Sequence, residues 1–150
     1  MSLYFEDVEI GTVHESPGRT ITETDVVAFA ALSGDWNRIH TDAEYAKTTP
    51  FGQRIAHGLL GIAIASGLAV RLGAFAETTI AMLGVEWRFR APVFIGDTVH
   101  LRLRVVSKRR TARGARGLVE RRLELVNQRG EVVQEGTISL LVKARSGEEA

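Results

Sequence analysis

The sequence contains no cysteine. Disulfide bonds, thiolate metal sites and a cysteine nucleophile are therefore excluded, and the composition fits a reducing compartment. An excess of one charge is also missing: 19 Lys and Arg offset 18 Asp and Glu, and the net charge of +1 points to no class of partner. Internal repeats and low-complexity tracts are absent. A length of 150 residues suits one domain, so we expect residues 1–150 to form a single unit.

Long hydrophobic runs are missing as well. The longest nearly uncharged run, Ile55 to Val70, contains three glycines and a histidine. It is shorter than the roughly 20 residues that a membrane helix needs. The N-terminal "MSLYFEDVEIG" is acidic and lacks an apolar core, so we expect no signal peptide. We therefore predict a buried helix, no membrane partner, and the cytoplasm as the default location.

Basic residues are concentrated in "SKRRTARGARG", followed by Arg121 and Arg122. Two interpretations stay open for this stretch: a solvated hairpin loop, or a patch that binds phosphates of a ligand. Nucleic acid is a weaker candidate, because no aromatic residues alternate with the basic ones. The basic members of the stretch are Lys108, Arg109, Arg110, Arg113 and Arg116.

Hydrophobic periodicity predicts helices in the first half of the chain. Thr22 and Asp25 match a capping box at the first helix, and Thr41 and Glu44 repeat that pattern at the second. The third helix is apolar all round, so other elements must cover every face of it. The predicted helices are residues 21–34, 42–48 and 58–71.

The second half of the chain changes to a strand period. In "TVHLRLRVV" every second residue is apolar and the others are mostly basic, which is typical of an antiparallel strand with one buried face. Helices followed by a meander of about four such strands predict an α+β fold, with the sheet curled around the apolar helix. Residues 11–21 supply one more possible edge strand. The four strands are predicted at residues 83–94, 98–106, 117–127 and 132–144.

The stretch "SGDWNRIHTD" brings together residue types that suit acid–base chemistry. On a regular helix Asp35 and His40 would point about 140° apart, so they converge only if the residues between them turn the chain. Asn37 favours such a turn and can hydrogen-bond a neighbouring carboxylate. A carboxylate and an imidazole that share one water molecule are suited to general acid–base catalysis near neutral pH.

Gly58 opens the apolar helix in "IAHGLL". Its N–H has no partner within the helix, lies at the positive end of the helix dipole, and has no side chain to block approach. Such a donor can stabilise a developing oxyanion. An acid, a base and an oxyanion donor are together what proton transfer next to a thioester carbonyl requires.

These segments resemble a known family. "FAALSGDWNRIHTDAEYA", the downstream "IAHGLL" and the later "VEWRFRAPVFIGD" are similar to the MaoC-like dehydratases, the (R)-specific enoyl-CoA hydratases. The resemblance implies a hot-dog fold, a curled antiparallel sheet around one long helix, and a homodimer or a higher homo-oligomer. It also implies that Asp35 and His40 are the catalytic pair, that the Gly58 amide binds the thioester oxygen, and that Ser66 lines the acyl pocket.

The implied reaction is syn addition of water to a trans-2-enoyl thioester, or the reverse dehydration, as in fatty-acid metabolism. Neither a metal nor a redox cofactor is implied, since coenzyme A or an acyl carrier is part of the substrate. Asn37, Trp36 and Arg38 are further candidates for substrate contact. The family commonly has proline where this chain has Arg38, so Arg38 either meets a polar or acidic acyl group or points to solvent. Which of Asp35 and His40 activates the water stays open.

Three alternatives compete with this interpretation. A hot-dog thioesterase would need a carboxylate on or near the central helix, and residues 58–70 contain none. A non-catalytic acyl-thioester binder would have no use for an Asp35–His40 pair. A metal site built from Asp35, His40, Asp42 and His57 matches no known ligand spacing, and we favour a structural hydrogen bond for His57. Acyl chain length, the choice between coenzyme A and carrier protein, and the pathway are not predicted.

Overall fold

The computed structural model describes residues 2–112 and 114–145. A 3₁₀ turn at Phe5–Asp7 comes first, and four helices and six strands follow. The helices are α1 (Glu23–Ser33), α2 (Arg38–Thr41), α3 (Ala43–Lys47) and α4 (Gly58–Arg71). The strands are β1 (Val13–Glu15), β2 (Arg19–Thr20), β3 (Thr79–Phe89), β4 (Thr98–Arg110), β5 (Arg116–Val126) and β6 (Val132–Lys143).

The strands form one antiparallel sheet in the order β1-β4-β5-β6-β3, and β2 also pairs with β4. The predicted meander is right for β4, β5 and β6. It is wrong for β3, which pairs with β6 at the far edge of the sheet. The eight residues between β3 and β4 are too many for a tight hairpin, and their Phe94 makes a bridge to Ile55 instead. The predicted N-terminal edge strand is present as the two short strands β1 and β2.

The inner face of the sheet packs against α4, which contacts β4 and β5. The alternation predicted for β4 is confirmed, because its inward residues Val99, Leu101, Leu103 and Val105 are each at most 2% exposed. This burial follows from the strand period of two, which sends every second side chain to the same face. One hydrophobic cluster runs from Phe5 to Ala144 through both layers.

The sheet does not cover every face of α4. Leu60, Ile64 and Leu68 are buried, whereas Leu59 is 62% exposed and Val70 is 61% exposed. The edge strand β3 behaves in the same way, because its Phe89 is 55% exposed. The sheet curls around α4 as predicted, but the expectation that other elements cover every face of this helix is wrong for a single chain, because the sheet covers one side of it.

The helix ends agree in part with the capping patterns. Thr22 and Asp25 form the predicted capping box of α1, and Gly34 ends that helix in the left-handed conformation with φ of 78°. At α3 the predicted Thr41 cap is wrong. Asp42 is the N-cap instead, and its carboxylate accepts the N–H of Tyr45. Asp is as good an N-cap as Thr and lies one residue closer to the helix.

The longest helix among the described residues is α4, with 14 residues. None of the described helices is long and apolar enough to cross a membrane. The cytoplasmic location stays a prediction. In the basic stretch, Lys108 donates to the carbonyl of Phe5 and Arg110 pairs with Glu6. Arg113 lies outside the described residues. The two ordered contacts tie this stretch to the 3₁₀ turn, and phosphate binding there stays a prediction.

Candidate functional site

A tight turn between α1 and α2 carries Asp35. Ser33 Oγ accepts the Asp35 N–H at 3.1 Å, and Asp35 Oδ1 accepts the Asn37 N–H at 3.2 Å. The Asn37 side chain caps α2 by accepting the Ile39 N–H at 3.1 Å. These short-range bonds follow from the tendency of Ser, Asp and Asn to bond nearby backbone. They fold the chain back as predicted. Asn37 bonds the Asp35 carboxylate through its backbone N–H, however, and not through its side-chain amide.

His40 is held in one tautomer. Its Nδ1 lies 2.7 Å from the carbonyl oxygen of Ile55, which can only accept, so Nδ1 carries the hydrogen. In the neutral ring Nε2 is then a free acceptor. Burial is the main cause that lowers the pKa of His40 below its ordinary value of 6.5; the nearby His57 also lowers it, while the bond to Ile55 and the charge of Asp35 oppose the shift. His40 is therefore a neutral base at pH 7.

His57 joins the two halves of the site. It is only 2% exposed, and its Nε2 donates to the backbone carbonyl of Asp35 at 2.8 Å. Its ring stacks on the ring of His40, with centroids 3.8 Å apart and planes 28° from parallel. Phe29 packs against the same ring at 4.9 Å. His57 therefore fixes the Asp35 turn against the start of α4, the kind of structural bond that the sequence favoured.

The three side chains converge. One carboxylate oxygen of Asp35 and one nitrogen each of His40 and His57 all lie within 4.8 Å of one another. Two atoms that bond the same water lie about 4.6 Å apart when each bond is about 2.8 Å long and the angle is near tetrahedral. The upper limit of 4.8 Å between Asp35 and His40 is thus compatible with one water molecule held between them.

The same three residues are the donor set that a metal centre here would use. A catalytic zinc takes three protein ligands. His57 uses Nε2 for the Asp35 carbonyl, and its Nδ1 is buried with no partner among the described residues. The expected absence of a metal stays a prediction.

Gly58 is the first residue of α4, so its N–H has no acceptor within the helix. A Cβ at this position would lie 2.7 Å from Cε1 of Phe89, so only glycine fits without movement of that ring. Gly58 also lines a cavity of about 360 Å³ whose other walls include Phe51, Ile55 and Val93. Gly58 thus borders a largely apolar space that suits an acyl or thioester chain.

The other predicted substrate contacts lie on the outer side of the turn. Trp36 is 53% exposed and Asn37 is also exposed. Arg38 pairs with Asp42 at 2.9 Å and covers the ring of Tyr45 at 4.3 Å. None of the three lines the cavity at Gly58, and their contact with substrate stays a prediction.

Ser66 lies two turns further along α4 and lines a second cavity, of about 210 Å³. The same cavity is lined by Arg121, whose sequence context indicated only an extension of the basic stretch. Its phase contained the missed signal: Arg121 alternates with Val119 and Leu123, both of which are fully buried. An arginine in that phase points to the inner face of the sheet.

Comparison with known structures first identifies the fold. A Mycobacterium tuberculosis protein described as having a double hot-dog fold superposes with a TM-score of 0.84 at 22% identity, over 99% of this chain and 46% of that chain. The curled antiparallel sheet around α4 is therefore a hot-dog fold. An Archaeoglobus protein described as a monoamine oxidase regulatory protein superposes with a TM-score of 0.89 at 41% identity, over 97% of both chains.

Comparison of sequences then identifies the family. Residues 7–127 match the model of the MaoC like domain. The (R)-specific enoyl-CoA hydratase of Rhodospirillum rubrum is 37% identical over 149 residues, which is 95% of this chain and 93% of that protein. The 3-hydroxybutyryl-CoA dehydratase of Methylorubrum extorquens is 43% identical over 115 residues, 74% of this chain and 71% of that protein. The chain belongs to the MaoC-like family of hydratases and dehydratases.

One similar protein is much longer. Protein MaoC of Klebsiella aerogenes is 41% identical over 119 residues, 79% of this chain, and the match spans only 34% of that protein.

The shifted His40 predicts how stability depends on pH. The unfolded chain takes up a proton near the ordinary pKa of 6.5, whereas folded His40 does so only at lower pH. His40 therefore contributes stability that is present above pH 6.5 and is lost as the pH falls through the folded pKa. Urea unfolding from pH 8 to 5 should show a steeper acid-side loss in the wild type than in His40→Gln. Equal slopes, or a His40 titration above 6.5 by NMR, would contradict the lowered pKa.

Proposed function

We propose that the protein is a hydro-lyase that adds water to a 2-enoyl thioester or removes it from a 3-hydroxyacyl thioester, as an (R)-specific enoyl-CoA hydratase does. The observation that carries the proposal is the convergence of the Asp35 carboxylate and His40 within 4.8 Å. The N–H of Gly58 follows directly after His57, which is bonded to the Asp35 turn. Relatives named as a hydratase and a dehydratase at 37% and 43% identity support the reaction class.

The mechanism needs one water molecule between Asp35 and His40. The pair removes a proton from this water while its oxygen bonds C3, and the pair returns a proton to C2. Both additions come from one side of the double bond, so the addition is syn. As negative charge moves to the thioester oxygen, the Gly58 N–H stabilises it. The neutral Nε2 of His40 can accept the water proton at pH 7, which places the base in its active form.

The proposed reaction uses no metal and no redox cofactor. Proton transfer and oxyanion stabilisation both come from side chains and backbone described above. Coenzyme A or an acyl carrier enters as the handle of the substrate.

The rival functions lack support of this kind. Thioester hydrolysis needs a carboxylate that aims water at the carbonyl carbon, and α4 has no acidic residue. A pure binding module would not need a histidine that is fixed in one tautomer beside a carboxylate. If the protein released free thiol from an enoyl thioester, that result would favour the thioesterase function.

We also propose that two copies associate through β3. This strand is the last of the sheet, and no described strand pairs with its outer edge. Several of its apolar residues are exposed. A second β3, antiparallel about a twofold axis, would satisfy that edge. The exposed apolar residues of β3 are Ile80, Met82, Leu83, Val85 and Phe89.

Substitution of the catalytic pair tests the reaction. Asp35→Asn and His40→Gln should each fold and lose about 10²-fold or more of kcat for crotonyl-CoA hydration, because each removes a proton-transfer group. Loss of the enoyl-thioester absorbance and (R) configuration of the product measure the activity, and EDTA should not change it. Asp42→Asn is the matched control, since Asp42 only caps α3 and pairs with Arg38. Near wild-type rates in either catalytic variant would refute the mechanism.

Two substitutions at Gly58 separate its donor from its size. Both Gly58→Ala and Gly58→Pro place a Cβ against Phe89, but only proline removes the N–H. Proline is tolerated at the first position of a helix. We expect Gly58→Pro to be slower than Gly58→Ala by about 10²-fold in kcat, the loss typical of one oxyanion donor. Equal rates in the two variants would show that the amide is not used.

A charge in β3 tests the proposed interface. Val85→Glu should convert a dimer to monomers in sedimentation velocity, because it places a carboxylate in a strand that must pair with its own copy. Val106→Glu, which adds the same charge to an exposed apolar position of β4, should leave the dimer intact. A monomeric wild type, or dissociation by both variants, would argue against β3.

A further inference from the structure

Arg121 is buried on the inner face of the sheet. It is 5% exposed, and its neighbours in register are Val105 on β4 and Ile138 on β6. Both neighbours belong to the hydrophobic cluster. The Arg121 guanidinium is therefore removed from water, whereas Arg102 and Arg122 lie on the outer face of the sheet and pair with carboxylates there.

Arg121 also has no acidic partner. Within residues 2–112 and 114–145 no carboxylate pairs with it, and its Nε is buried without an acceptor. The contact that remains is with the ring of Phe75, 5.7 Å from the guanidinium carbon. Arg122, the next residue, shows the usual arrangement: it faces outward and pairs with Glu124 and Glu135.

The charge of Arg121 persists at neutral pH. Burial lowers its pKa to about 10, which is still well above 7. A buried charge without a partner is unfavourable, so a fold that keeps one leaves room for an anion to be bound there.

The cavity beside Arg121 offers that room. Its volume is about 210 Å³, none of its lining residues is acidic, and most of them are apolar. Ser66 and Thr79 add hydroxyls to the wall. Ser66 is eight residues after Gly58, which places it about 12 Å further along α4. An eight-carbon acyl chain and a charge-assisted hydrogen bond of about 2.8 Å together cover a comparable length.

We propose that Arg121 binds a carboxylate at the far end of the acyl chain, so that the favoured substrates are enoyl thioesters of dicarboxylic acids. The proposal rests on the hydro-lyase function proposed above, because it assumes that the thioester lies at Gly58. It also transfers to Arg121 the recognition of an acidic acyl group that the sequence had suggested for Arg38. Arg38 is exposed and already paired with Asp42.

Kinetics with matched substrates test the proposal. We expect the wild type to favour trans-2-octenedioyl-CoA over trans-2-octenoyl-CoA by about tenfold or more in kcat/KM, as expected for a hydrogen bond to a charged group. Arg121→Leu should abolish or reverse this ratio, and Arg121→Lys should keep part of it. Arg122→Leu is the matched control on the opposite face and should keep the whole ratio.

Binding without turnover separates this proposal from the hydro-lyase function. Octanoate should raise the Tm of the wild type and leave the Tm of Arg121→Leu unchanged. A ligand raises the Tm only when it binds the folded state. Arg121-dependent octanoate binding without hydratase activity would support the carboxylate site and refute the proposed reaction. Hydration of octenoyl-CoA with no preference for the dicarboxylic substrate would refute the carboxylate site alone. Stabilisation by inorganic phosphate but not octanoate would show a site for free anions and would also refute it.

Discussion

The hydrogen bond from His57 to the carbonyl of Asp35 is the interaction on which the candidate site depends. It joins a turn that follows α1 to the residue that precedes α4, across 22 positions of sequence. Because His57 is buried and also stacks on His40, one ring sets the position of the carboxylate turn, the imidazole and the oxyanion donor. Because its acceptor is a backbone carbonyl, this hydrogen bond keeps its geometry whichever side chains surround it.

The rest of the fold supplies a rigid base for that bond. The inner faces of β4 and β5 bury the Leu60, Ile64 and Leu68 side of α4, which fixes the start of the helix. The helix lends its first N–H to the site and presents Ser66 two turns later. One helix thus carries the proposed thioester oxygen site at its start and a wall of the distal cavity further along.

Much of this arrangement could be predicted from the sequence because it is local. The bounds of α4 and the inward residues of β4 follow from hydrophobic periodicity, and the Asp35 turn follows from the bonding habits of Ser, Asp and Asn. The position of β3 could not be predicted, because alternation defines a strand but not its neighbour. The burial of Arg121 follows from its phase in β5, although its charge alone favours the solvent-exposed face.

The contact between Gly58 and Phe89 connects chemistry to assembly. Phe89 ends β3, and its ring lies against Gly58, the residue of the proposed oxyanion donor. If a second copy packs on β3, the Phe89 ring contacts both the neighbouring chain and α4. The specific activity of the proposed reaction would then vary with protein concentration, and separation of the subunits would abolish it without altering Asp35 or His40.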